Sequence, residues 1–161
     1  MYRAWSLAWL CLLGGGCGGG DPDFCTLLTI EEVTKLDAGV ATSKTSVRGK
    51  TAPTRYCVYT NRNGEEVFML SMGTATKNPP TSILQVYARY MDGSKSIRTV
   101  PDVGNSAAAL FSDDYEEDRF RILIANNDKW SVTIRAKGIR DESSPRFDVV
   151  KELADKALSR F

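Results

Sequence analysis

The chain is 161 residues long, enough for one domain with one sizeable core. A hydrophobic share of 42% and a charged share of 25% are those of an ordinary globular protein, which excludes a disordered tract and a bundle of membrane helices. Histidine is absent, removing the commonest general base, metal ligand and pH switch together, and 21 basic against 20 acidic residues give no general pull toward nucleic acid.

Met1-Tyr2-Arg3 is a short, weakly basic start, and Ala4 to Leu13 is an apolar run. A run of about ten residues is too short to cross a bilayer as a helix but suits the core of a signal peptide. Glycines then place small side chains where a signal peptidase cuts. Leu13-Gly14-Gly15-Gly16-Cys17 resembles the lipobox of bacterial lipoproteins, a Leu, two small residues and a Cys. It departs from that pattern in placing Leu13 one position early, with Gly14 at the usual Leu position. Two other readings compete: ordinary cleavage after Gly14-Gly15-Gly16, and an uncleaved anchor.

Cysteine arithmetic weighs between them. Cys11 leaves with the leader, so Cys17, Cys25 and Cys57 remain, and an odd count in an exported protein strands a thiol. A lipid on Cys17 resolves the count and leaves Cys25 and Cys57 as a pair. The expected organisation is a signal peptide over 1–16, a lipidated Cys17 with a flexible tether over 17–23, and one globular domain over 24–161. Gly18-Gly19-Gly20 and Asp21-Pro22-Asp23 supply flexibility and solvation to that tether. Loss of Arg3 with the leader balances the exported part at 20 charges of each sign.

Thr29 with Glu32 has capping-box spacing, Leu28 and Val33 have hydrophobic-staple spacing, and Gly39 can stop the helix in the left-handed conformation. Val40 to Arg55 reads as a weak strand, a loop or both, and Tyr56-Cys57-Val58-Tyr59 as a strand. A Cys25–Cys57 bridge would close a loop of about 33 residues and remove roughly 3.5 to 4 kcal/mol of unfolded-state entropy. A pair of buried free thiols is the alternative. Two cysteines without Cys-x-x-Cys or histidine do not make a zinc or redox site.

Asn61-Arg62-Asn63-Gly64 is a hairpin turn, and Val67 to Met72 is the returning strand. After a Pro79-Pro80 loop, Ile83, Val86, Tyr87 and Tyr90 recur at helical spacing, with Gly93 as the stop. These side chains suit core packing better than the lining of a ligand groove. Ile97 to Val100 and Ala107 to Phe111 are strands around a Pro101–Asn105 turn, and the small residues of the second suggest close approach of another element. Asp113 to Asp118 holds five carboxylates in six positions. They invite a calcium reading, but the EF-hand spacing is missing and a solvated hairpin tip accounts for them better.

Arg119 to Ala125 and Lys129 to Ala136 are the clearest strands. In the second, Trp130, Val132 and Ile134 face one way while Lys129, Ser131, Thr133 and Arg135 face the other. Arg119, Arg121, Lys129 and Arg135 could form a basic patch, but no aromatics interleave with them, and a solvated sheet face is the simpler account. Ser144-Pro145 starts a closing helix whose stripe runs through Phe147, Val150, Ala154, Ala157, Leu158 and Phe161.

Cys25-Thr-Leu-Leu-Thr-Ile-Glu-Glu-Val33, Cys57-Val-Tyr59 and Val100-Pro-Asp-Val-Gly-Asn-Ser-Ala107 together resemble a family of small bacterial lipoproteins, of actinobacterial type and without assigned activity. Asp102 and Val103 stand where that family prefers Gly and Leu, and Asn105 where it prefers Asp. The resemblance covers most of Phe24 to Phe161 and carries no catalytic residue.

The element order predicts an α+β fold: one twisted antiparallel sheet, about three helices packed mainly on one face, and one disulfide. The expected role is non-enzymatic, a binding or accessory module of the bacterial cell envelope held to a membrane by the lipid on Cys17, with secretion as the second reading of its location. Its partners would be that membrane and an envelope protein or small molecule, not nucleic acid. No cofactor is indicated. The alternatives are a small envelope hydrolase using carboxylates or Ser with Lys, and a ligand-sensing domain.

Overall fold

A computed structural model describes residues 23–48, 54–90, 95–112 and 121–160. Seven strands form a single sheet: β1 (Val40–Arg48), β2 (Thr54–Asn61), β3 (Glu66–Thr74), β4 (Lys95–Val100), β5 (Ser106–Ser112), β6 (Arg121–Asn126) and β7 (Trp130–Ala136). The helices are α1 (Ile30–Val33), α2 (Pro80–Ala88) and α3 (Pro145–Ser159), preceded by a 3-10 turn at Phe24–Thr26. The expected α+β class, single antiparallel sheet and disulfide are all present.

The strand order β1-β2-β3-β7-β6-β5-β4 describes two meanders that meet in the middle. β1 to β3 run out as successive hairpins. The chain then crosses through α2 to the far edge, and β4 to β7 return inward until β7 lies against β3. Every neighbouring pair is antiparallel. The Asn61–Gly64 turn forms as the sequence predicts: Gly64 has φ 80°, and the Asn61 side chain accepts from the Asn63 and Glu65 amides.

The period-2 pattern of the strands divides two cores. On the first face Tyr59, Phe68, Leu70, Leu123, Val132 and Ile134 pack with Leu28 and Val33 and with Phe147, Val150, Leu153 and Leu158 of α3. On the second face Ala108, Leu110, Ile122 and Ile124 pack with Leu84 of α2. The triplet Ala107-Ala108-Ala109 thus serves both faces, and α2 packs on β4, β5 and β6 over its small Ala108 side chain.

Three local expectations change. The first helix is a single turn: its capping box of Thr29 and Glu32 is complete, but the helix ends at Val33 with Thr34 as its C-cap, and Gly39 does not adopt a positive φ. The buried face of α2 is Pro80 and Leu84, with Ile83 and Tyr87 half-buried, while Val86 is 52% and Tyr90 86% exposed. Helical spacing from Pro80 through Leu84 to Tyr87 sets that face, and Val86 and Tyr90 fall outside it. Ser144 holds the N-cap position of α3 without a side-chain capping bond. The leader, Cys17, the tether up to Pro22, Gly93 and the acidic run from Asp113 to Asp118 lie outside the described residues.

At the loop between β4 and β5, Asp102 and Gly104 both have positive φ, 60° and 54°. A Cβ on Gly104 would collide with the Asn126 carbonyl oxygen and lie 2.9 Å from Leu158 Cδ1, so glycine is required both by conformation and by close approach.

One carboxylate ties α1 to the end of α3. Glu32 accepts from both Nη atoms of Arg160 at 2.7 and 2.8 Å, from Lys156 Nζ at 2.7 Å and from the Thr29 amide at 2.9 Å. Arg160 also donates to the Leu27 carbonyl. The Arg160 hydrogen bonds, with Lys156 and the Thr29 amide, hold the Glu32 carboxyl at a pKa of about 2, below its ordinary 4.5. A depressed folded-state pKa stabilises the fold above the unfolded value, and that contribution is lost as pH falls from about 4.5 toward 2. Glu32→Gln should therefore lower the urea midpoint near neutral pH by the equivalent of roughly 1–3 kcal/mol. The difference from wild type should shrink in the acid window; a constant difference across it would contradict this assignment.

Candidate functional site

Two places combine residues that the sequence singled out. The first is the corner where the chain enters the fold. Cys25 and Cys57 are bonded, with Cα atoms 4.9 Å apart, so of the two alternatives the bridge is the one formed. Asp23 Oδ1 accepts from the Cys25 amide at 3.0 Å and from Thr45 Oγ1 at 2.8 Å, and these bonds hold its carboxyl below the usual aspartate range. Thr45 is the register partner of Cys57, so the bridge pins the 3-10 turn to β2 just inside edge strand β1. Below it, Tyr59 is fully buried, stacks edge-on to Phe68 at 5.4 Å and donates its hydroxyl to the Leu28 carbonyl at 2.7 Å. Burial pushes that phenol well above its ordinary pKa, so it remains a donor. This corner is built to hold the chain in place.

The second place is the sheet face opposite α3. Along β7, Val132 and Ile134 are buried in the first core, while Ser131, Thr133 and Arg135 point to the second face and are half-buried. β7 is the central strand, and α2 packs on β4, β5 and β6 to one side of it. Ser71, a register partner of Thr133, and Met69, a register partner of Arg135, continue this face onto β3.

Arg135 is the distinctive group. Its guanidinium carbon lies 5.7 Å from the centroid of the Tyr56 ring on β2 and 5.6 Å from that of Tyr87 on α2. Both distances are within cation–π range. To reach Tyr56, two strands away, the side chain crosses β3 above Met69, which is 1% exposed. Its Nε is buried without a hydrogen-bond partner. Arg135 is therefore not a freely solvated charge, as a plain polar sheet face would make it.

Of the four basic residues of the expected patch, those described do not share one register phase. Arg121 pairs with Ala136 and Arg135 with Ile122, so the two occupy register positions of opposite phase. Arg119 lies outside the described residues, and Lys129 is exposed before β7 begins. The aromatics that sequence reasoning found missing around the basic residues come instead from β2 and α2, distant along the chain. The only signal pointing to them was the half-apolar spacing of Tyr87. Comparison with protein-family models, with characterised proteins and with solved structures finds no match to this chain.

The corner generates a direct expectation. Replacing both Cys25 and Cys57 by Ala should lower stability by about 2–4 kcal/mol, read as a lower urea midpoint, because the unfolded chain regains the freedom the bridge removes. An unchanged midpoint would show that the bridge contributes nothing to stability.

Proposed function

We propose that the protein is an exported, lipid-anchored module of the bacterial cell envelope that binds a partner rather than transforming a substrate. The observation that carries this reading is the Cys25–Cys57 bridge. Disulfides persist in oxidising compartments and are rare in the cytosol. With Cys25 and Cys57 joined and Cys11 removed in the leader, Cys17 is the cysteine left for acylation.

The resemblance to small envelope lipoproteins gains support from the backbone. Asp102, where that family prefers Gly, has a left-handed φ of 60°, and Val103, where it prefers Leu, is 3% exposed. Each position has the local environment that the family's residue would need. The partners on this reading are the membrane, through the lipid, and a small molecule or envelope protein presented to the folded unit.

Metabolic labelling of the full chain with radioactive palmitate in a bacterial host tests the anchor. The wild-type chain should take up label and sediment with membranes, whereas Cys17→Ser should carry no label and appear in the soluble fraction. Membrane attachment that survives Cys17→Ser, or a labelled variant, would overturn it.

A further inference from the structure

We infer that the β1–β2 hairpin is the surface by which the folded unit lies against an anionic phospholipid bilayer, its outer edge turned toward the headgroups. This rests on the reading that Cys17 carries the lipid. Cys17 and Asp23 are six residues apart, and an extended chain spans at most about 3.6 Å per residue, so Asp23 stays within roughly 22 Å of the acylated residue. That corner is fastened to both strands of the hairpin: the Asp23 carboxylate accepts from Thr45 of β1, and Cys25 is bonded to Cys57 of β2. β1 is the outermost strand, and β4 at the other edge of the seven-stranded sheet is six spacings of about 4.8 Å away, roughly 29 Å. The tether therefore places the β1 edge, and not β4, nearest the anchor point.

Charge points to the same edge. The whole chain is balanced at 21 basic and 20 acidic residues, but from Ala38 to Gly64 it holds five basic residues and no acidic one. Lys44, Arg55 and Arg62 are exposed. Lys44 pairs with Val58 and Arg55 with Val47, positions of opposite phase, so basic side chains flank the outer edge on both faces. Val47, beside Arg55, is 56% exposed, one of three large apolar side chains left in solvent among the described residues. The Asp23 carboxylate is already taken up by the Cys25 amide and the Thr45 hydroxyl. Basic groups held at an anionic headgroup surface reinforce an acyl anchor, provided they lie within a Debye length, about 8 Å at physiological salt. A valine among them enters the interface while the cations reach the headgroups. An acidic protein would meet the same charges, but only the bilayer is held within reach by the covalent lipid.

Lysine footprinting of the lipidated full chain tests this. The chain is reconstituted on vesicles of phosphatidylcholine alone or with ~30% phosphatidylglycerol, and acylation by a membrane-impermeant amine reagent is read at Lys44 and Lys95 by mass spectrometry. Lys95 is exposed on β4, at the far edge, and serves as the internal control. Lys44 should react at least about threefold more slowly on the anionic vesicles, Lys95 should be unchanged, and ~1 M salt should abolish the difference. Val47→Glu and Arg55→Glu, with thermal unfolding transitions retained, should each cut that protection at least about twofold. If Arg55→Glu fails to fold, Val47→Glu carries the comparison. Equal Lys44 reactivity on both vesicles, protection of Lys95 instead, or protection indifferent to salt and to these variants would overturn the inference. So would protection by soluble polyglutamate with none by anionic vesicles, which would assign the hairpin to an acidic protein. Flotation with the phosphatidylcholine vesicles is read separately: a chain that does not float with them lacks the anchor, and Lys44 protection on anionic vesicles then reports the hairpin alone.

Discussion

The pairing of β3 with β7 is the contact on which the rest of the molecule depends. Each meander is assembled from hairpins whose partners are close in sequence, but β3 and β7 meet across most of the domain, in seven register pairs from Phe68–Ala136 to Thr74–Trp130. Without it both strands would be open edges, and the first core would be split between Phe68, Leu70 and Met72 on one side and Val132 and Ile134 on the other. Closing so long a loop costs entropy before burial offsets it, so this junction depends on the apolar area it joins. The same junction carries Arg135 across to within reach of Tyr56.

The N-terminal corner secures what the junction creates. α1 is too short to hold itself, and a four-residue helix has little propensity to spare. Its position is set by covalent and polar ties: the bridge at Cys25, the Tyr59 hydroxyl on Leu28, and Glu32 held between Arg160 and Lys156. Exposed ion pairs such as Lys35–Glu152 contribute little by comparison, since water and salt screen them. Glu32 differs because it is largely enclosed, with 15% side-chain exposure, and four donors converge on it. The first and last described elements are thus one unit, and a tether leaving from Asp23 would leave from the best-fastened part of the fold.

The two sheet faces are covered differently. The first is covered by α3, α1 and the 3-10 turn and is a conventional core. The second is shared between a helix over β4 to β6 and a polar, aromatic strip on β7, β3 and β2. Apolar β5 and β6 residues draw α2 to their side, so the hydroxyls and Arg135 lie on the other.

Much of the architecture was legible in the sequence because it depends on local physical chemistry. The alternation of Trp130, Val132 and Ile134 assigned β7 and its buried face; Asn63-Gly64 assigned a hairpin; Thr29 with Glu32 assigned a capping box; and counting cysteines paired Cys25 with Cys57. The face of α2 was misjudged because apolar spacing alone does not say which of two overlapping stripes meets a sheet; contact with Ala108 and Leu110 decides it in favour of Leu84. Strand order, the meeting of β3 and β7, and the convergence of Tyr56, Tyr87 and Arg135 belong to the tertiary structure. Residues far apart in the chain become neighbours there through register and crossover, and no local pattern of residue types encodes that distance.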